Sequence, residues 1–165
     1  MVSRRNITAA ITACALAAGT GGVAHANTSH EGWPKIDGVL KINKDDGNDM
    51  IGGTAKSDEL LGGHDSDAIS GGDSADVLWG DYKPSGQGTA QVDRIDGGAG
   101  SDFIYASHGQ NFIVAGPGND TIHAHYGRGS IDCGPGHDTL FISHRAKRGY
   151  HISRCEKISF KTIGH

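Results

Sequence analysis

The sequence predicts an all-β solenoid of short strands joined by glycine-rich turns, and three observations predict it. Glycine supplies 27 of the 165 residues while aromatic residues make up only 6%, too few large side chains to fill a conventional globular core. Asp49, Asp58, Asp67 and Asp76 are spaced by nine, and a second run keeps that spacing through Asp93, Asp102, Asn111, Asp120, Gly129 and Asp138. Two positions after each stands an aliphatic residue: Ile51, Leu60, Ile69, Leu78, Ile95, Ile104, Ile113, Ile122, Ile131 and Leu140. A fixed period of this kind marks a stacked-repeat architecture.

Residues 1–26 stand apart from the repeats. Arg4 and Arg5 lead into a small-residue apolar stretch from Ile7 to Gly19, and Ala24-His25-Ala26 reads as a small-x-small cleavage site. This is the pattern of a secretory signal peptide, so the expected location is secreted and extracellular. Ser3-Arg4-Arg5 also resembles a twin-arginine start, which leaves the export route open. Ile11-Thr12-Ala13-Cys14 loosely resembles a lipoprotein box, although cleavage there would leave a very short apolar segment. The apolar part is too short and too polar to read as a membrane span. Removal of this segment takes Arg4 and Arg5, leaving 13 of the 15 basic residues against 19 acidic ones, a formal charge of -6. That balance gives no support to nucleic-acid binding, which needs a clustered basic face.

Residues 27–43, which include Gly38-Val39-Leu40-Lys41-Ile42, read as an N-terminal cap with Ile42 in phase with the aliphatic series. A solenoid needs such a cap because its last turn exposes an apolar layer. The repeats occupy 44–142. Their clearest units are Gly97-Gly98-Ala99-Gly100-Ser101-Asp102, Ala115-Gly116-Pro117-Gly118-Asn119-Asp120 and Cys133-Gly134-Pro135-Gly136-His137-Asp138. After each Asp the chain is short and strand-like, with the middle residue pointing inward by the period-two rule.

These units match the signature G-G-x-G-x-D-x-U-x. The chain resembles the haemolysin-type (RTX) calcium-binding nonapeptide repeat family over roughly residues 44–142. The resemblance implies a right-handed parallel β-roll, two nonapeptides to a turn, with Ca2+ held between loops one full turn apart. The chemistry agrees. Calcium takes six to eight oxygen ligands, and turning several backbone carbonyls toward one point needs positive φ, which glycine reaches without a steric penalty. The implied metal residues are Asp49, Asp58, Asp67, Asp76, Gly98, Gly100, Asp102, Gly116, Gly118, Asp120, Gly134, Gly136 and Asp138.

The repeats are not equivalent. The loops ending at Asp102, Asp120 and Asp138 lie on one edge and are well formed, which predicts two sites between three loops. On the other edge the Asp93 loop lacks two glycines, Asn111 is neutral and Gly129 offers no side-chain ligand; turns and hydrogen bonds are expected to close it. The first block opens with Asp45, Asp46 and Asp49, and pairs Asp49 with Asp67 and Asp58 with Asp76. Lys56 sets a cation beside the second pair.

The step from Asp76 to Asp93 falls one short of two nonapeptides. Either an eight-residue loop insertion within about 80–92 or a degenerate whole turn short by one accounts for this; the in-phase aliphatic slot would fall on Gln87, a poor core residue, which favours the insertion and sets Asp76 on the same edge as Asp102. Residues 143–165 read as a C-terminal cap, with Ile152 to Phe160 alternating like strands. Without Cys14, two cysteines remain, Cys133 and Cys155. An even count in an exported chain predicts one disulfide, with a free-thiol pair as the alternative; the bridge would pin the cap to the last good repeat.

His123, His125 and His137 lack partners at zinc spacing. No Gly-x-Ser-x-Gly or comparable constellation occurs, so catalysis is not expected. The expected function is a secreted calcium-binding protein with a structural or interaction role, monomeric. The alternatives are a small extracellular hydrolase or an accessory module of one, and a module that adheres to a glycan or cell surface. Trp33, Trp79 and Tyr82 are either a carbohydrate platform or the cover of a cap or insertion loop.

Overall fold

The computed structural model describes residues 32–42, 47–81 and 88–161. The expected signal peptide, Asp45, Asp46 and Tyr82 lie outside the described residues. Within them the chain alternates between two sheets. Strands β1 (Leu40–Ile42), β3 (Glu59–Leu61), β5 (Val77–Trp79), β7 (Phe103–Tyr105), β9 (Thr121–Ala124), β11 (Thr139–Ile142) and β13 (Lys157–Ser159) form the first sheet in that spatial order. Strands β2 (Met50–Gly52), β4 (Ala68–Asp73), β6 (Val92–Ala99), β8 (Gln110–Val114), β10 (Arg128–Asp132) and β12 (Tyr150–Ser153) form the second. Every pairing is parallel. The molecule is thus an all-β parallel β-roll, with one short helix, α1 (His144–Lys147), among the described residues.

Why this arrangement forms is plain from the register. In the second sheet Ile51, Ile69, Ile95, Ile113, Ile131 and Ile152 stand opposite one another in succession. In the first, Leu60, Leu78, Ile104, Ile122, Leu140 and Ile158 do the same. The ten repeat aliphatics, none more than 8% exposed, belong to one core cluster. Each strand is too short to bury its apolar residue alone; stacking turn upon turn closes the core. Each such side chain contributes roughly 1.5–3 kcal/mol on burial, and a one-residue slip would turn the whole row outward.

Three departures from strict period matter. The first is at the insertion: Leu78 stands directly opposite Ile104, so eight extra residues lie between β5 and β7 and Asp76 shares an edge with Asp102. The second is at the N-terminal end, where the register sets Lys41, not Ile42, opposite Leu60. The phase expected for Ile42 is therefore off by one. Among the described residues β1 is the end strand of its sheet; there Val39 packs against the core and the Lys41 ammonium donates to the Gly52 carbonyl.

The third is an aromatic cover. Trp33 and Trp79 pack edge to face, and Trp79 stacks on Tyr105 at 4.0 Å. With Ile36, Val77 and Phe103 they make a second apolar cluster, and the Trp33 indole N–H donates to the Tyr105 hydroxyl at 2.9 Å. These two tryptophans cover the outer face of the first sheet. At the other end Cys133 and Cys155 form a disulfide, Cα to Cα 5.1 Å, which ties the closing segment to the last glycine-rich loop.

Candidate metal centre

From β3 onward, each strand of the first sheet follows a loop whose last residue is acidic, and these residues form a ladder. The Asp58 N–H donates to Asp76 Oδ1 at 2.7 Å, Asp76 N–H to Asp102 Oδ1 at 2.8 Å, and Asp102 N–H to Asp120 Oδ1 at 2.8 Å. Asp120 N–H then donates to Asp138 Oδ1 at 2.8 Å, and Asp138 N–H to Glu156 Oε2 at 2.9 Å. One carboxylate oxygen per turn is thus spent on the backbone of the turn before. Glu156 closes the series, and sequence reasoning passed over it as a rung although it stands one full turn after Asp138.

The second oxygen is the notable one. In Asp76, Asp102, Asp120 and Asp138 the Oδ2 atom is buried and has no hydrogen-bond partner, and all four residues are at most 1% exposed. A buried anionic oxygen without a donor is costly. Burial is the main cause that raises these carboxyls above the ordinary carboxylate range: to about 7 for Asp76, about 6 for Asp102 and about 7 for Asp120, with Asp138 shifted the same way. Neighbouring carboxylates add to the rise for Asp76 and Asp120.

The glycines supply the rest of the cradle. Gly98, Gly116 and Gly134 hold φ of +94°, +104° and +100°. A Cβ on Gly116 would lie 1.9 Å from the Gly98 carbonyl oxygen, and one on Gly118 would lie 1.4 Å from that of Gly100. Gly134 and Gly136 meet the carbonyls of Gly116 and Gly118 in the same way, at 2.0 and 1.5 Å. Carbonyl oxygens therefore project into the gap between successive loops wherever only glycine leaves room. The pattern extends to loops before the three good units: a Cβ on Gly98 or Gly100 would lie 2.0 and 1.9 Å from the carbonyl oxygens of Gly72 and Ser74, and one on Gly72 2.2 Å from that of Thr54. Ser74 takes φ +72°, a glycine-like angle in a non-glycine residue, which is why the sequence pattern hides it.

The other acidic repeat positions are differently placed. Asp58 accepts from the Thr54 N–H and hydroxyl and from the Val39 N–H. Asp67 accepts from Asp49 N–H at 3.0 Å and Gly63 N–H at 2.9 Å, and Asp93 from Asp67 N–H at 2.9 Å and the Ser107 hydroxyl. Further along that edge the Asn111 side chain bonds Ser107 and, at 2.9 Å, the Tyr150 hydroxyl. Gly129 follows with φ +132°. The structure thus brings Asp76, Asp102, Asp120 and Asp138 together in one row with oxygens to spare. Asp49, which is exposed, and Asp58 and Asp67, whose oxygens are taken up by these bonds, stand outside that row.

Among the described residues no three His, Cys, Asp or Glu side chains converge on a metal position. A cation between these loops would meet mostly carbonyls with one or two carboxylates, a donor set that suits a hard, high-coordination ion. The family model described as RTX calcium-binding nonapeptide repeat (4 copies) matches residues 45–78, 87–122 and 109–140. The chain belongs to the RTX calcium-binding repeat family. Its nonapeptide repeats bind Ca2+, and the donor set of the Asp76–Asp138 row fits that ion. No curated protein and no solved structure matches the chain. In an RTX roll the cation supplies positive charge between loops. In this chain the residues that would hold it are those with the spare Oδ2 atoms and the glycine carbonyls beside them.

Proposed function

We propose that this RTX protein is an exported structural or interaction protein whose roll is completed by calcium after export, binding along a single edge. The observation that carries this reading is the row of four buried, unpartnered Oδ2 atoms at Asp76, Asp102, Asp120 and Asp138. The three intervals between these loops are the proposed sites, with Gly98, Gly100, Gly116, Gly118, Gly134 and Gly136 giving the carbonyl walls. In calcium-poor cytosol the row carries charge that nothing balances, and the roll stays open. Outside, calcium balances it, so binding free energy becomes folding free energy.

No catalytic constellation enters this reading; the repeats themselves are the working part. Circular dichroism and calorimetry at pH 7.5 test it. Addition of calcium to the stripped chain is expected to produce the β-roll spectrum with about three ions bound. A fully folded spectrum in excess chelator, unchanged by calcium, would sink the proposal.

A further inference from the structure

The edge opposite the metal row holds a feature of a different kind. Its loops have lost acidic ligands at Asn111 and Gly129 and have gained cationic and aromatic side chains. A cavity of about 650 Å³ opens there between three successive layers, the loop at His108, the segment from His125 to Arg128, and the start of α1. His108, His125, Tyr126, Arg128, Ser143 and Arg145 line it, and no carboxylate does. That volume lies in the range of small-ligand sites.

Two observations make it a built site rather than a gap. Its walls are fixed from behind: the Tyr150 hydroxyl donates to the Tyr126 carbonyl at 3.0 Å, and the Ser143 hydroxyl donates to the His125 carbonyl at 2.7 Å. Gly127 lies against Asn111, Ser107 and the Tyr150 hydroxyl so closely that a Cβ would come within 2.7 Å of each. Its working groups, in contrast, face outward. The Arg128 and Arg145 guanidinium groups have no carboxylate partner among the described residues. The Tyr126 ring, 59% exposed, is held flat against the His108 imidazole at 4.3 Å between centroids.

We propose that this cavity binds a short acidic sugar, its carboxylate or sulfate held by Arg128 and Arg145 and its ring lying on the Tyr126 face. Guanidinium groups match planar or tetrahedral oxyanions with paired N–H donors. A rigid aromatic face offers a pyranose ring apolar contact at little entropy cost. The site needs the folded roll but no calcium ion of its own.

The test is calorimetry and amide chemical-shift mapping on the full chain in saturating calcium. The probes are digalacturonate, a sulfated chondroitin disaccharide and maltose. Binding of either acidic disaccharide, with shifts centred on Tyr126 and Gly127, supports the proposal and shows which oxyanion is preferred. Arg128→Gln and Arg145→Gln are each expected to weaken binding about tenfold or more. Both residues are exposed, so circular dichroism should show an unchanged fold. Equal affinity for maltose, failure of both acidic probes to bind a folded chain, or full affinity in the double variant would each overturn it. A sugar bridged by calcium on the metal edge would survive the double variant, and an unfolded chain would indict the calcium reading instead.

Discussion

Acid should do part of calcium's work. Asp76, Asp102 and Asp120 have carboxyls raised to about 7, about 6 and about 7 in the folded roll, against 3.8 ordinarily. Between those limits the calcium-free folded state holds protons that the unfolded chain has released. Stability of the calcium-free roll is therefore greatest toward pH 4 and is lost as pH rises through about 6–7. Lowering pH from 8 to 5 protonates all three groups in the folded state while the unfolded ones stay mostly ionised. Treated singly, the gain in the folding constant is about a hundredfold for Asp76, about tenfold for Asp102 and about a hundredfold for Asp120.

These factors do not multiply in full. Asp76 and Asp120 each owe part of their rise to the charge on Asp102, so protonating one rung lowers its neighbours. A combined gain of about 10³, or ~4 kcal/mol, is the expected outcome. The assay is the β-roll circular-dichroism signal of the calcium-stripped chain at half-unit pH steps, which should be lost near pH 8 and gained toward pH 5. With saturating calcium the trend should reverse, since protons and calcium compete for the same oxygens. A calcium-free stability that is flat or falls steadily from pH 8 to pH 5 would refute the reasoning, because the buried Oδ2 atoms would then carry no penalty.

Asp120→Asn keeps an Oδ1 acceptor for the Asp102 N–H but cannot ionise. The calcium-free roll should be as stable as the parent or more so at pH 8, while calorimetry should show fewer ions bound. Gly116→Ala forces a Cβ to 1.9 Å from the Gly98 carbonyl oxygen at φ +104°. It should cost about 1–3 kcal/mol and distort two adjacent intervals, read as a lower urea midpoint and weaker calcium binding. Ile113→Ala, at a site 1% exposed in mid-stack, should cost about 2–5 kcal/mol in saturating calcium, read as a lower urea midpoint. Reduction of the Cys133–Cys155 bridge, which joins positions separated by 22 in the sequence, should lower stability by about 3 kcal/mol in the chain-entropy description. The loss should appear first in the amide exchange of β12 and β13.

The apolar slots were legible because one physical demand sets them. Each turn must bury one residue per strand, so period nine is written directly in Ile51 through Leu140. The parallel β-roll, the bound ion and the membership in the RTX family followed from the glycine and aspartate pattern beside those slots. Liganding capacity was harder to read, because a carboxylate at the right position is only half of the matter. Asp58 and Asp67 keep the period as well as Asp102 does, yet Thr54 and the Gly63 N–H consume their oxygens. Those bonds depend on backbone turns that no spacing rule records. Conversely Ser74 serves a glycine's role at φ +72°, and Glu156 ends the ladder from within a cap. The Lys41 register slip lies at the end of the described sheet, and the Arg128–Arg145 cavity lies in loops between stacked strands. Core stacking fixes the inward residues, and at outward loop positions the chain is free to place cationic and aromatic ones. The edge that gave up its acidic ligands is, for that reason, the one where a second binding role could arise.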